Sequence, residues 1–439
     1  MSRTYTIREY DSFTRGKIFT DEEYLAFTGR YCPIDEQTFD ALEEFILGTE
    51  AGTEADPAEL LSLRTKKGFG KIISAKNYVG VITLKNGAAV EILPKICSAH
   101  GGDIAARRLF CEMLAALDDA PCKNLGKSSL QAEYINIFEI FVRDFTDDCF
   151  KIVKEGLCSF YVPETENLPY MRGRLLISRH IAENAAHRER FYVCHDLFDT
   201  NTPENRLIKA ALLYLKTKPL SAASSSRIDK LLSSFERIPP SVLPEHDLNL
   251  CRKGRDAQRY AGALRWCRIF LRHKSLTVFK GAERASAMLF PMEKLFEGWA
   301  AQKITNFAGR TGLEVSTQKG GSYLFDDPQK FALIPDITIT QRKTGRRIVI
   351  DTKWKLLSPE LLNLGLSVHD LYQMYVYHKK YETEKAVLLF PAFGNERAAA
   401  AEHHFACADG TRLELVFIDM GDTESGFEKL FCSITQTFA

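Results

Sequence analysis

No two of the eleven cysteines stand in a CxxC pair, so neither a zinc ribbon nor a dithiol redox motif can be assembled. An odd count without regular spacing points to reduced thiols, and hence to a reducing compartment. No uncharged apolar run approaches the ~18 residues of a membrane helix. The opening Met-Ser-Arg-Thr-Tyr-Thr-Ile-Arg-Glu carries charges where a signal peptide needs an apolar core. The expectation is a soluble, cytoplasmic protein with no membrane partner. A phosphate-cradling loop is missing as well. The only Gly-Lys-Ser/Thr is Gly126-Lys127-Ser128, and Pro121 stands where a Walker A loop needs its first glycine. This chain is therefore expected to bind no nucleotide. His187, His195 and the His403-His404 pair lack metal-ligand spacing and read as surface or core residues. Internal repeats and low-complexity tracts are absent too.

What is present is an ordinary globular composition, 45% hydrophobic and 26% charged, over 439 residues. At ~150 residues per domain this predicts two to three domains. Lys+Arg 58 against Asp+Glu 57 gives a net charge of +1, which hides a local asymmetry. Residues 35–59 hold acids without a base. Residues 252–280 hold nine bases (Arg252, Lys253, Arg255, Arg259, Arg265, Arg268, Arg272, Lys274, Lys280) against Asp256. The usual reading of such a run is a solvated helix face. So lopsided a ratio favours phosphate contact, with Arg265, Arg268 and Arg272 on one face by i, i+3, i+7 spacing.

The fold class expected is α+β or α/β and multidomain. Residues 1–115 form a β-rich domain: Tyr5–Tyr10 alternates, and Asn86-Gly87 joins two apolar runs as a hairpin turn. Residues 116–280 form a helical middle region, from apolar residues recurring at three- and four-residue spacing. Residues 281–439 form a mixed α/β domain with a helix at 291–307, strands near 334–340, 347–353, 386–390 and 413–418, and a helix over 370–381.

Chemistry concentrates in that last block. Asp336 opens a strand, Gln341–Arg346 supplies a turn, and Arg347–Ile350 returns toward the same end, ahead of Asp351-Thr352-Lys353. An antiparallel return sets Asp336 beside Asp351, while Asp351 and Lys353 share a face and Thr352 points away. Two converging carboxylates cannot both stay ionised cheaply without a divalent cation between them. A lysine there can orient or deprotonate water and offset charge on a phosphate. The implied reaction is Mg²⁺-dependent phosphodiester hydrolysis, although a PD followed by DxK also arises by chance. Gln373 and Tyr377 are i, i+4 neighbours on a helix. Glu297 sits on an otherwise apolar helix face, where the plain alternative is an exposed glutamate.

The order helix-Glu, PD, DTK, QxxxY resembles the PD-(D/E)xK nuclease superfamily, in particular the McrC family of McrBC modification-dependent restriction systems. The likeness extends to Val90-Glu91-Ile92-Leu93-Pro94-Lys95-Ile96, to Arg172-Gly173-Arg174, to Cys194-His195-Asp196 through Asp199-Thr200…Asn205, and to Met292…Leu295-Phe296-Glu297. The resemblance implies a PD-(D/E)xK endonuclease domain at 281–439. Asp336, Asp351 and the Thr352 carbonyl would hold Mg²⁺, Lys353 would act on water, and Glu297 would complete the site. Gln373 and Tyr377 would contact the DNA backbone or position the active strand. It implies a McrB-like AAA+ GTPase ring as partner, docked by the N-terminal domain and stimulated by it, and modified double-stranded DNA as substrate. A non-catalytic activator of the ring and an autonomous nuclease are the other readings.

Overall fold

The computed structural model describes residues 3–16, 31–47, 60–67, 69–95, 102–117, 136–251, 255–271, 278–281, 285–318, 320–358, 361–392 and 403–438. It is a mixed α/β, multidomain architecture. The chain divides into two compact units, one of residues 1–138 with 276–439 and one of 139–275.

The N-terminal part runs β1 (Thr4–Arg8), β2 (Ser12–Arg15), β3 (Tyr31–Ile34), α1 (Glu36–Leu47), β4 (Leu61–Lys66), β5 (Gly70–Ala75), β6 (Tyr78–Leu84), β7 (Ala89–Leu93) and α2 (Gly102–Ala116). Asp35 caps α1 by accepting the Thr38 N–H at 2.9 Å. Phe39, Leu42, Phe45 and Ile46 then recur on one face and fill a core with Phe13, Ile73, Val90 and Ile92. Asn86-Gly87 does turn β6 into β7, with Gly87 at φ +80 and the Asn86 side chain accepting from Ala88 N at 3.0 Å. The described half of the acidic run is partly spent on local pairs. Asp40 and Glu43 both meet Arg15, and Glu43 meets Lys71. Residues 48–59 lie outside the described residues, as does Gly126-Lys127-Ser128.

The middle part runs α3 (Ile137–Glu155), β8 (Phe160–Leu168), β9 (Arg174–Leu175), α4 (Ile177–Glu183), β10 (Phe191–Asp199), α5 (Pro203–Lys216), α6 (Ala222–Ser234), α7 (Pro244–Leu250) and α8 (Arg255–Leu271). This corrects the uniformly helical expectation, because β8, β10 and β9 form an antiparallel sheet in that order. The Asp199…Asn205 segment builds the start of α5. Thr202 accepts from Asn205 N, and the buried Asn205 amide donates to Cys158 O (2.9 Å) and Thr200 O (2.8 Å) while accepting from Tyr260 Oη (2.8 Å). Helix α8 buries Tyr260, Ala263, Trp266, Cys267 and Phe270. Trp266 stacks on Phe270, meets Phe141 at a tilt and donates to Asp144 at 2.9 Å. Truncating Trp266 to Ala would cost roughly 3–5 kcal/mol.

The C-terminal part runs β11 (Val278–Gly281), β12 (Ala285–Pro291), α9 (Met292–Thr311), β13 (Leu313–Thr317), β14 (Ser322–Asp326), β15 (Gln329–Leu333), β16 (Ile337–Gln341), β17 (Arg347–Thr352), α10 (Val368–Lys380), β18 (Lys385–Ala392), β19 (His403–Ala406), β20 (Arg412–Asp419) and α11 (Thr423–Phe438). The divisions expected at 115/116 and 280/281 shift for a physical reason. Strand β12 pairs with β6 and completes an N-terminal sheet of order β1-β7-β6-β12-β11. Gly80 makes that pairing possible, since a Cβ there would stand 2.0 Å from Met288 O. A cut at 280 would strip β6 of its neighbour. The second large sheet has the order β13-β16-β17-β18-β20-β19, with β17, β18 and β20 parallel and the edges antiparallel.

Candidate active site

Strands β16 and β17 pair antiparallel with Ile337 opposite Ile350, so the next residue out on each strand is Asp336 and Asp351. Thr352 fixes the first of these. Its backbone N–H (2.7 Å) and hydroxyl (2.8 Å) both donate to Asp336 Oδ2. Oδ1 takes no hydrogen bond among the described residues. Thr352 thus points away from Asp351, as strand alternation requires, and grips the opposite acid.

Asp351 is 1% exposed, and Lys353 Nζ stands 2.8 Å from its Oδ2. That oxygen accepts no well-directed hydrogen bond, and Gln373 Nε2 reaches Oδ1 only at 3.5 Å. Burial, with Asp336 adding to it, pushes the Asp351 carboxyl up to about 6 against the pull of Lys353. Glu297, half-buried in the second turn of α9, is pushed up to about 7 by burial and by Asp336 and Asp351. Gln318 opposes this by donating to it at 2.5 Å. Three carboxylates therefore converge where ionising all of them is costly. Burial alone would depress Lys353, but Asp351, Asp370 and Asp336 carry it above its ordinary value. Lys353 also lies 3.7 Å from Asp370 and donates to Gln373 Oε1 at 3.3 Å. Gln373 donates to Tyr377 Oη at 2.9 Å, and Tyr377 donates to Ile334 O at 3.1 Å. An all-oxygen set with unsatisfied charge suits a hard divalent cation such as Mg²⁺. Asp336, Asp351, Lys353, Glu297, Thr352, Gln373 and Tyr377 are thus brought together. Arg265, half-buried, and Arg268, exposed, belong to the unit 139–275 instead, and Arg272 lies outside the described residues.

A family described as McrBC 5-methylcytosine restriction system component matches residues 73–391. The chain belongs to this family. Among curated proteins none matches. A chain of a solved half-complex from the tetradecameric assembly of Thermococcus gammatolerans McrB AAA+ hexamers with bound McrC is similar over 99% of both chains, at 18% identity and a TM-score of 0.73. A chain of the Thermococcus gammatolerans McrBC complex is similar over 69% of this chain and 87% of that one, at 18% identity and a TM-score of 0.49. Among the described residues, no helix is long and apolar enough to cross a membrane.

Two features of this McrBC-family site were not legible beforehand. Asp370 adds a second acid beside Lys353. The other feature reaches in from the N-terminal sheet. Lys95, just past β7, donates from Nζ to the Trp354 carbonyl at 2.9 Å, and its own N–H donates to Glu9 Oε2 at 3.0 Å. Trp354 Nε1 donates to both Glu9 oxygens at 3.2 and 3.0 Å. Trp354 directly follows Lys353, so this network holds the backbone beside the site. Burial pushes Glu9 up to about 7, with Lys95 opposing, and pulls Lys95 down.

Proposed function

We propose that this chain is the McrC-type subunit of its system: an endonuclease that cleaves modified double-stranded DNA and stimulates a partner AAA+ GTPase ring. The observation that carries the reading is the convergence of Asp336, Asp351, Glu297 and Lys353 at one end of a β-sheet. Membership of the McrBC family and likeness of fold to an assembly of McrB hexamers with bound McrC support the partner. In this reading Asp336, Asp351 and Glu297, with the Thr352 carbonyl, hold Mg²⁺. Mg²⁺ held there would supply Lewis-acid polarisation of a phosphate oxygen and a more acidic water. Thr352 keeps Asp336 in register by two hydrogen bonds to one oxygen. Lys353 stays a cation well above neutral pH, so it orients water and offsets charge on the pentacovalent phosphate rather than acting as the base. Gln373 aims Lys353, and Tyr377 secures Gln373 while anchored to the Ile334 carbonyl, between β15 and β16. The exposed Arg268 and its neighbour Arg265 contact phosphates, and the N-terminal sheets dock the ring.

The test is cleavage of methylated duplex DNA by wild type and Lys353→Ala, each with the partner ring, GTP and Mg²⁺. Wild type cuts only with Mg²⁺ present. Lys353→Ala raises GTP hydrolysis normally but does not cut. Equal cutting by the variant would overturn the catalytic assignment.

A further inference from the structure

Outside the nuclease block, the three-stranded sheet of the unit 139–275 holds a second cluster of ligand-type side chains. On the antiparallel pair β8/β10, His195 lies opposite Glu164, and Glu166 lies two residues further along β8, opposite Val193. Pleating sends all three to one face of the sheet. One donor atom from each of Glu164, Glu166 and His195 lies within 4.8 Å of the other two.

Charge and burial make this more than a surface acidic pair. His195 is 5% exposed, and its Nδ1 is buried without a hydrogen-bond partner. A buried imidazole nitrogen left unpaired forfeits its solvation without recompense, so such groups normally have partners. Among the described residues, no lysine or arginine pairs with Glu164 or Glu166, and no hydrogen bond or ion pair joins either to His195. Gly173 (φ +70) packs beneath this spot. A Cβ there would meet Cys194 O at 2.4 Å and the His195 Cβ at 2.7 Å, so the glycine lets the Arg172–Arg174 segment press on His195 and fix where its ring starts.

We infer that Glu164, Glu166 and His195 form a second metal site, one for a first-row transition dication, Zn²⁺ foremost. One imidazole nitrogen with two carboxylates gives a mixed N/O donor set and two negative charges. That favours Zn²⁺ over Mg²⁺, which prefers oxygen alone. Zinc bonds of about 2.0–2.2 Å place neighbouring donors about 3.4 Å apart, and rotation of the two half-buried glutamates closes the present spacing. A metal here would clamp β8 to β10 and complete the coordination of His195. The site is independent of the nuclease reading, since it shares no residue with that site.

Equilibrium dialysis of the full-length protein against micromolar Zn²⁺ with millimolar Mg²⁺, read by elemental analysis, tests this. The expectation is one Zn²⁺ per chain, unchanged in Asp351→Asn and lost in His195→Gln. A Glu164→Gln/Glu166→Gln double variant should bind at least ~10-fold more weakly, since even outer-shell losses cost that much. Zinc should raise the melting temperature of wild type and leave the double variant unmoved. If His195→Gln fails to fold, the double variant decides, because its side chains are not core. No Zn²⁺ above background in wild type overturns the proposal. So does retention by a folded double variant, which would put the ion on surface groups such as the exposed Cys407 and Cys432.

Discussion

Asp351→Asn should make the metal-free protein more stable while abolishing cleavage. Asp351 is essentially unexposed, so solvent screens little of what burial does to it. Its carboxyl is raised from the ordinary 3.8 to about 6, a difference of about 2 units or roughly 3 kcal/mol. The sign follows from linkage. A folded-state value above the unfolded one favours the fold at low pH, and that contribution is lost as pH rises through about 6. At pH 8 the ionised carboxylate therefore weighs against the fold, and a neutral amide of the same shape removes that weight. The attraction of Lys353 is already contained in that difference, and in the variant Lys353 keeps Asp370 at 3.7 Å and Gln373 at 3.3 Å. Relaxation of the site around the charge trims the net gain to about 1–2 kcal/mol. In a large unit this raises the melting temperature by about 2–4 °C at pH 8. Calorimetry without Mg²⁺ should show the gain at pH 8 and none at pH 4. Adding Mg²⁺ should stabilise wild type alone. Cleavage with partner and GTP should fall at least ~10²-fold. A variant less stable than wild type at pH 8, or one still able to cut, would refute the reasoning.

Three further outcomes follow from other parts of the molecule. Lys95→Met should leave the fold intact but raise the Mg²⁺ concentration needed for half-maximal cleavage, because the Trp354 carbonyl loses its tether. An unchanged Mg²⁺ titration would remove Lys95 from the positioning network. Arg268→Glu should lower DNA affinity of the assembled complex and flatten the log-affinity against log-salt slope by up to ~0.9 per lost phosphate contact. An unaltered slope would mean that face of α8 is only solvated. Asp144→Asn should stabilise the unit 139–275 at pH 8 by up to about 3 kcal/mol. Burial, opposed by Trp266 and aided by Asp148, pushes Asp144 up to about 6, and its favourable contribution is lost as pH rises through that value. Equal melting of variant and wild type at pH 8 would contradict it.

How much of this was readable in the sequence depends on the distance between partners. The Asn86-Gly87 turn and the Asp336/Asp351/Lys353 set rest on local rules, two-residue pleating and turn chemistry, and both take the geometry those rules require. The β8–β10 sheet was missed because polar residues and a proline interrupt the apolar alternation of β8, and His195 and Asp196 interrupt that of β10. Phe160–Leu168 carries Pro163, Glu164 and Glu166, and Tyr161 and Phe198 stay exposed, so no apolar alternation marks it. The Glu9–Lys95–Trp354 network joins positions up to 345 residues apart, and no local pattern encodes such a pairing. Lys95 carried only a weak hint, as a basic residue directly after a buried strand and a proline.

Burial alone does not separate carboxylates open to a ligand from structural ones in this chain; the count of donors around each does. Glu91, fully buried on β7, receives Arg107 through two nitrogens at 2.9 and 2.6 Å, the Ile137 N–H at 2.8 Å and the Thr6 hydroxyl at 3.2 Å. Every lone pair it needs to share is shared, so it ties β1, β7 and α2 together and has no capacity left for a ligand. Asp351 is as deeply buried, yet it holds one ammonium and one long contact to an amide, beside two further acids. A carboxylate left that short of donors destabilises the fold unless something positive arrives, and so its environment selects for a cation. The same reasoning distinguishes His195, buried with an idle nitrogen beside two glutamates that have no pairing cation among the described residues, from Asn205, whose amide is fully engaged by Cys158, Thr200 and Tyr260.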